Sequence, residues 1–282
     1  MSICRESSAS AWRAVEVGAI GIFDSGVGGL TVARAIMEEL PGRRVIYLGD
    51  TARVPYGPKS PRTIRRFSKE NGDFLADHGI DALVVACNTA SALAIEELHS
   101  RYPFPVLGVL EPGVREGLRA AKGGPLGVIG TVGTIKSAAY RLAAARLDSA
   151  AVVECRACPL FVPLAEEGMV DHLATELIAR DYLEPLTTAG IRALVLGCTH
   201  YPLLAPIIQR VVGADVTLVD SADAVARELV ARLPDAQAGS EATVPPSPNR
   251  FFVTDIATRF SEVGARFLGS ELPAVELADL VE

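Results

Sequence analysis

Residues 81–91 read Asp81-Ala-Leu-Val-Val-Ala-Cys-Asn-Thr-Ala-Ser91, and a similar stretch, Arg192-Ala-Leu-Val-Leu-Gly-Cys-Thr-His-Tyr-Pro202, follows later in the chain. In each stretch a short apolar run ends at a cysteine, and polar residues come next. Such a run is typical of a buried strand in a parallel sheet, with the polar residues at its carboxyl end. In open α/β sheets ligands bind at that end. The stretches therefore predict two strands that present Cys87 and Cys198 to a ligand site.

The repeat extends beyond the cysteines. Gly21-Ile-Phe-Asp-Ser25 recurs in outline as Gly127-Val-Ile-Gly-Thr131, at an offset of 106 residues against 111 for the cysteines. Strands alternate with helical segments along the chain, which is typical of βαβ units and parallel sheets. We therefore predict an α/β fold of two pseudo-symmetric, doubly wound parallel-sheet domains that face each other across an active-site cleft.

Local signals refine this prediction. Ser60 followed by Pro61 is a favourable helix start. One helix is predicted over residues 135–146, and Glu111-Pro-Gly113 is interpreted as the crossing between the two halves of the chain. Residues 234–249 are predicted to form a loop because they are rich in Pro, Ser and Gly.

Composition sets limits on function. The chain has 282 residues, 49% of them hydrophobic, and a net charge of −7. This acidic balance argues against a nucleic-acid surface, which relies on clustered Lys and Arg. No apolar run approaches the roughly 18 residues of a membrane span, and residues 1–17 lack the apolar core of a signal peptide. We expect a flexible N-terminal tail, a cytoplasmic location and reduced cysteines.

Each of the two repeated cysteines is expected just before a helix N-terminus. The positive partial charge and unpaired N–H groups at that position favour a thiolate. A single cysteine of this kind is usually a small buried hydrophobic residue. Two in symmetric positions favour chemistry instead. Opposing thiols suit proton transfer at the two faces of one carbon, where a thiolate removes one proton and the other thiol donates another.

Other uses of the cysteines fit less well. A metal site needs more ligands at close spacing, and only His200 of the four histidines lies beside a cysteine. Cys155-Arg-Ala-Cys158 has the spacing of a disulfide exchanger, but it opens no helix and lacks the surrounding fold pattern. We therefore expect no metal and interpret the Cys155–Cys158 spacing as incidental.

Five blocks of the sequence carry a family resemblance. They read Phe23-Asp-Ser-Gly-Val-Gly-Gly-Leu-Thr31, Gly49-Asp50 with Pro55-Tyr-Gly57, Cys87-Asn-Thr-Ala90, Cys158-Pro159 through Glu166-Glu-Gly168, and Gly197-Cys-Thr-His-Tyr-Pro202. In this order they resemble the blocks of the glutamate racemases, within the aspartate/glutamate racemase family. One block alone is moderately specific, whereas the five together are very specific.

The resemblance implies a cofactor-independent two-base mechanism. In the family, the cysteine that matches Cys87 deprotonates D-glutamate and the one that matches Cys198 deprotonates L-glutamate. Asp24 and His200 match residues that assist the thiols, and Glu166 matches a further acidic neighbour. The positions of Asp24 and His200 in the sequence agree with these roles. Asp24 precedes a glycine turn, where it can relay a proton or cap a helix, and an imidazole near a thiol is its usual activator.

The motifs contain few cationic side chains that could bind the substrate. Glutamate carries two carboxylates, yet Arg53 is the only arginine in the motifs. We therefore expect backbone N–H groups and small polar side chains at helix starts to bind it. The candidates are Asp24, Ser25, Tyr56, Gly57, Asn88, Thr89, Thr131, Thr199 and His200. The resemblance implies all of them except Thr131, which follows from the repeat together with the weaker candidate Thr134.

Two cofactor motifs are incomplete. Thr31 replaces the third glycine of a dinucleotide-binding turn in Gly26-Val-Gly-Gly29-Leu-Thr31, and Asp24 would repel a pyrophosphate. A pyridoxal enzyme needs a Schiff-base lysine, and of the four lysines only Lys136 lies near a glycine turn. We expect no cofactor.

The resemblance implies an isomerase, a glutamate racemase that supplies D-glutamate for peptidoglycan synthesis. The alternatives are a racemase of aspartate or of several amino acids, and a regulatory binding protein with racemase ancestry. The expected partner is the small-molecule substrate, with no nucleic acid and no membrane, and a homodimer follows from the family. Residues 18–110 and 222–282 are expected to form the first domain, after the tail of residues 1–17, and residues 111–221 the second.

Overall fold

Ten strands form two sheets in the computed structural model, which describes residues 18–233 and 247–280. The strands are β1 (Ala19–Asp24), β2 (Val45–Gly49), β3 (Ile80–Val85), β4 (Val106–Gly108), β5 (Leu126–Gly130), β6 (Val153–Ala157), β7 (Ala193–Gly197), β8 (Thr217–Val219), β9 (Arg250–Val253) and β10 (Val275–Leu277). The first sheet has the order β10-β9-β2-β1-β3-β4 and the second has the order β6-β5-β7-β8. Every neighbouring pair is parallel.

Helices connect the strands. They are α1 (Leu30–Glu39), α2 (Pro61–Asp77), α3 (Asn88–Arg101), α4 (Leu110–Ala121), α5 (Val132–Lys136), α6 (Ala139–Leu147), α7 (Phe161–Glu166), α8 (Leu173–Thr188), α9 (Ala205–Val212), α10 (Ser221–Arg232) and α11 (Ala257–Leu268). Two short 3-10 turns lie at Thr51–Arg53 and Tyr201–Leu204. Helix α2 begins as predicted, because the Ser60 hydroxyl accepts a hydrogen bond from the Thr63 N–H at 3.2 Å and Pro61 follows.

Both sheets are covered by helices on both faces. Successive side chains of a strand point to opposite faces, so β1 gives Ile22 to one core and Phe23 to the other. Helices α1, α10 and α11 pack on the first of these faces, and α2 and α3 pack on the second. Around the second sheet, α4 and α6 lie on one face and α7, α8 and α9 on the other. The predicted fold class, two doubly wound parallel-sheet units, is confirmed.

The internal repeat appears in the strand register. Gly21 of β1 pairs with Leu83 of β3, and Gly127 of β5 pairs with Leu194 of β7. A Cβ on Gly21 would lie 2.7 Å from Ile80 Cδ1, and one on Gly127 would lie 2.8 Å from Ile191 Cδ1. The same close packing of isoleucine on glycine therefore fixes β3 and β7 at the same height, and the cysteines that follow them end up in equivalent positions. We call the unit around the first sheet the first half and the other the second half.

Three local features differ from the predictions. Glu111-Pro-Gly113 does lie where the chain crosses between the halves, because β4 belongs to the first sheet and α4 packs on the second, but these residues form the first turn of α4. A proline is tolerated there because the N–H it lacks has no helical partner. The helix predicted over residues 135–146 is two helices, α5 and α6, broken at Ala138, whose φ is +57°. Strand β10, which extends the first sheet, was not predicted.

Two predicted segments lie outside the described residues, namely the tail of residues 1–17 and most of the loop of residues 234–249. Among the helices of residues 18–233 and 247–280, none has both the length and the apolar character needed to cross a membrane.

Candidate active site

The two thiols meet at one small cavity. Cys87 is the N-cap of α3 and lies two residues after the end of β3, while Cys198 directly follows β7. They are 5% and 7% exposed, and both line a small cavity of about 30 Å³ at the carboxyl ends of the sheets. The cavity is lined by Ser25, Val54, Pro55, Tyr56, Gly57, Cys87, Asn88, Thr89, Thr131, Val162, Cys198, Thr199 and His200.

Most residues predicted for the site are therefore brought together. Asp24 and Glu166 do not line this cavity, but each contacts residues that do. Asp24 is fully buried and accepts hydrogen bonds from the Gly26 N–H at 3.0 Å and from the Thr199 hydroxyl at 3.4 Å. The Glu166 carboxylate lies 2.8 Å from His200 Nε2.

His200 links the Cys198 thiol to this carboxylate. Its Nδ1 is 3.9 Å from Cys198 Sγ, and its ring packs edge-on against Phe267, with 5.2 Å between the ring centroids. Burial by itself lowers the pKa of His200, but the hydrogen bonds and charges of Cys198 and Glu166 raise it to about 10. At neutral pH the imidazole is therefore a cation held between a sulfur and a carboxylate.

Cys87 has a different environment. Burial, followed by the negative charge of Asp24, raises the pKa of Cys87 to about 12, although the Ala90 N–H and the Ser25 hydroxyl partly offset these effects. Burial also raises the pKa of Asp24 itself, against the lowering influence of His200 and nearby backbone N–H groups. Cys87 is therefore a neutral thiol at pH 7, because no cation accompanies it as His200 accompanies Cys198.

Three threonine hydroxyls join the halves on another side of the cavity. Thr89, in the first turn of α3, lies 3.0 Å from Thr131 and 3.1 Å from Thr134, measured between Oγ1 atoms. Thr131 caps α5 by accepting a hydrogen bond from the Thr134 N–H. The loops approach closely here, since a Cβ on Gly57 would lie 2.8 Å from Thr131 Cβ. These hydroxyls bring two helix starts to one point, where N–H groups favour an anion.

Glycines also allow close contact elsewhere between the halves. A Cβ on Gly28 would lie 2.6 Å from His200 Nδ1 and would overlap the Thr199 hydroxyl. A Cβ on Gly133 would lie 2.5 Å from the Gly57 carbonyl oxygen. The cavity is small because backbone from one half lies directly against the other.

Tyr56 is held by a polar network beneath the cavity. Its hydroxyl donates to the buried Asp50 carboxylate and accepts a 3.0 Å hydrogen bond from Asn71 Nδ2. Asp50 also accepts two hydrogen bonds from Arg53 Nε, at 2.7 and 2.9 Å. The guanidinium of Arg53 is thus engaged inside the protein, and Tyr56 offers a ligand its ring and backbone rather than its hydroxyl.

Sequence reasoning missed four residues at the site. Val54 and Pro55, together with Val162 from α7, line the cavity. Tyr140, from α6, donates a 2.6 Å hydrogen bond to Asn88 Oδ1. Val162 and Tyr140 had no recognisable signal, since both occupy apolar positions of helices, and only the packing of α6 and α7 on the second sheet brings them to the site.

The family is established by sequence. The model of the family described as Asp/Glu/Hydantoin racemase matches residues 20–229. The chain is 52% identical over 257 residues to the glutamate racemase of Geobacter metallireducens, covering 90% of this chain and 94% of that protein. It is 46% identical over 265 residues to the glutamate racemase of Syntrophus aciditrophicus, covering 94% and 98%. The chain belongs to the Asp/Glu/hydantoin racemase family.

Within this family, the solved structures that are similar to the chain include glutamate racemases. A glutamate racemase isoform from Bacillus anthracis matches with a TM-score of 0.88 and 40% identity, covering 94% of this chain and 98% of that one. The glutamate racemase of Francisella tularensis, solved in complex with D-glutamate, matches with a TM-score of 0.87 and 37% identity, covering 94% and 99%. These similar proteins, in sequence and in structure, are glutamate racemases.

The charge on His200 predicts a pH dependence of stability. Because the folded-state pKa of about 10 lies above the ordinary value of 6.5, this stabilisation is complete below pH 6.5 and is lost as the pH rises through 10. The free energy of unfolding should therefore fall over this window, by an amount on the order of a few kcal/mol. Chemical denaturation at pH 6, 7 and 8 measures it, because above about pH 8.5 buried thiols with raised pKa, such as Cys87, also lower the free energy of unfolding.

In the His200→Gln variant this fall should be much smaller. The matched control is His99→Gln, because His99 is exposed on α3, and it should keep the pH slope of the unsubstituted protein. Equal slopes in all three proteins would contradict a charged His200.

Proposed function

We propose that this protein interconverts L-glutamate and D-glutamate by a two-base mechanism that needs no cofactor. The observation that carries the proposal is that Cys87 and Cys198, each after the end of an equivalent strand in a different sheet, line the same small cavity. The glutamate racemase relatives, one of them solved with D-glutamate, support the choice of substrate. The product D-glutamate would serve peptidoglycan synthesis.

The two thiols differ in a way that suits one direction of the reaction. Cys198 faces the His200 cation at 3.9 Å, whereas Cys87 is a neutral thiol. We assign Cys198 as the base for L-glutamate: as a thiolate it removes the α-proton, and the Cys87 thiol donates its proton to the opposite face of the carbon. The product is D-glutamate, with the proton now on Cys198 and the charge on Cys87. D-glutamate reacts by the reverse of these steps.

The cavity also has to stabilise the carbanion-like state. Positioned donors in a site without bulk water are worth more than the same donors in water. The starts of α3 and α5 bring N–H groups, together with the hydroxyls of Thr89 and Thr131, to one side of the cavity. We assign these groups to a carboxylate of the substrate. The assignment explains how an acidic protein binds a dianionic amino acid without an arginine in the cavity lining.

We also propose that the site opens for substrate. The cavity volume of about 30 Å³ is room for only a few water molecules, since one needs roughly 10–15 Å³, and glutamate is much larger. We propose that residues 18–110 and 222–282 move as one domain and residues 111–221 as the other. In support of these boundaries, the first group contains β1 to β4, β9 and β10, and the second contains β5 to β8.

A cytoplasmic location and a homodimer stay predictions. Both come from the sequence and the family resemblance. Sedimentation velocity of the purified protein is the measurement that decides the oligomeric state.

Racemisation in D2O tests the proposed function. Protein incubated with L-glutamate, without added cofactor, should racemise it, and deuterium should enter mainly the D-enantiomer because two different bases act. Cys87→Ser and Cys198→Ser should each lower kcat at least about a hundredfold. Cys155→Ser is the control, because Cys155 is a half-buried thiol in β6 that does not line the cavity, and it should stay active.

The possible outcomes separate the candidate substrates. Exchange with aspartate but not with glutamate would keep the two-thiol mechanism and change the substrate. No exchange with either amino acid in fully reduced protein would reject the racemase proposal.

The unequal environments of the thiols predict unequal alkylation. Their exposures are similar, at 5% and 7%, so access alone does not favour either one. Iodoacetamide at pH 7 should modify Cys87 several-fold more slowly than Cys198, because a thiolate is the reactive form and burial beside Asp24 raises the pKa of Cys87 to about 12. Peptide mass spectrometry over time measures both rates. Faster labelling of Cys87 would contradict its assignment as a neutral thiol.

Domain opening predicts a response to substrate. Saturating glutamate should slow amide hydrogen exchange in residues 54–57 and 131–134, which lie at the contact between the halves, and should lower the radius of gyration in small-angle scattering. Unchanged exchange and unchanged scattering would argue for a rigid site.

A further inference from the structure

A tyrosine from the second half reaches the residue that follows the first-half thiol. Tyr140 lies in the first turn of α6 and is 2% exposed. Its hydroxyl donates a hydrogen bond of 2.6 Å to Oδ1 of Asn88. Asn88 comes directly after Cys87, begins α3 and lines the cavity. The contact therefore joins the two halves next to the reacting groups.

This hydrogen bond decides which end of the Asn88 amide is available. A side-chain amide has a carbonyl oxygen that accepts hydrogen bonds and a nitrogen that donates two. Tyr140 occupies the oxygen. In residues 18–233 and 247–280, the hydrogen bond from Tyr140 is the one found for the Asn88 side chain, and Nδ2 donates to no protein group there. Asn88 therefore keeps a donor group that no described protein acceptor uses, although the residue is only 4% exposed.

We propose that Tyr140 is a positioning residue, which fixes the Asn88 amide so that its nitrogen donates to a carboxylate of the bound amino acid. The inference rests on the proposed function and deepens it. Without the tyrosine hydroxyl, the amide can rotate by about 180° and present its oxygen to the carboxylate, where two acceptors repel each other. The hydroxyl thus selects the one amide orientation that binds an anion.

A purely structural role for Tyr140 is the alternative. The Tyr140 ring packs in the core with Val128 and Ala143, and a Cβ on Gly197 would lie 3.0 Å from the Tyr140 hydroxyl oxygen. Tyr201 provides a comparison, because it is also buried and its hydroxyl donates at 2.8 Å, but to the backbone carbonyl of Cys158. Removal of either hydroxyl costs one buried hydrogen bond, whereas only Tyr140 would affect the Asn88 amide.

A double-mutant cycle tests the positioning role. KM and kcat for both enantiomers are measured in Tyr140→Phe, Asn88→Ala and the double variant, with calorimetric binding of D-glutamate to the same proteins. Tyr140→Phe should raise KM and the dissociation constant roughly two- to tenfold, the usual effect of one hydrogen bond, with a smaller change in kcat. In the Asn88→Ala background the same substitution should change them less than about 1.5-fold, because residues that act through one another are not additive.

The control is Tyr201→Phe, which should lower the melting temperature but leave KM unchanged. Equal effects of Tyr140→Phe with and without Asn88 would overturn the proposal, as would an Asn88→Ala variant with the original affinity. Should Tyr140→Phe not fold, Asn88→Asp decides the question. It keeps the oxygen that accepts from Tyr140 and replaces the nitrogen donor, so unchanged binding of D-glutamate would also overturn the proposal.

The binding measurement separates this proposal from the proposed function. A protein that binds D-glutamate with the predicted coupling but does not racemise it would retain the role of Tyr140 and lose the racemase. A protein that racemises glutamate, but in which the effects of Tyr140→Phe and Asn88→Ala are additive, would retain the racemase function and lose the proposed role of Tyr140.

Discussion

Burial of ionisable groups around one cavity is the constraint on which the site depends. Taking charge out of water favours the neutral form of a thiol or a carboxyl, and this is the largest influence on Cys87 and Asp24. A charged group persists in such a place only with a close partner. His200 has two, the Cys198 sulfur and the Glu166 carboxylate. The site thus holds a charged His200 beside Cys198 and leaves Cys87 a neutral thiol.

This electrostatic difference is built on a nearly symmetric scaffold. The glycine–isoleucine packing beneath β3 and β7 places both cysteines at the same height above their sheets. The equivalent strands β3 and β7 thus each place one proton-transfer group, Cys87 or Cys198, at the site. The residues after the strands break the symmetry, because Cys198 is followed by His200 and Cys87 by the start of α3. Stereoinversion needs both properties, since one group must accept a proton while the other has one to give.

Much of the fold and the site could be predicted because their signals are local. Apolar runs that end at a cysteine located β3 and β7, and a serine before a proline located the start of α2. The break at Ala138 could not be read, because a positive φ at alanine follows from tertiary packing and not from propensity. Strand β10 is three residues long and gains its place only by pairing with β9.

The contacts of the site were harder to predict than its members. Sequence placed Tyr56 and Asn88 in the site but did not indicate that Asp50 and Tyr140 hold them. Tyr140 lies in the other half, and hydrogen bonds between the halves leave no periodic pattern. Asp50 is six residues before Tyr56, but the irregular chain between them has no pattern that predicts the contact either.

The glycines at the contact between the halves have a consequence for inhibition. There is no free space between Gly57 and Gly133, because a Cβ on Gly133 would overlap the Gly57 carbonyl oxygen. A competitive ligand therefore cannot bind by filling a ready-made space. It has to separate two backbone segments that are in contact, and the free energy of this separation weakens its observed binding. Small, highly charged molecules that reach the starts of both α3 and α5 should therefore bind better than bulky apolar ones. The close contact between the halves thus excludes larger metabolites from the site.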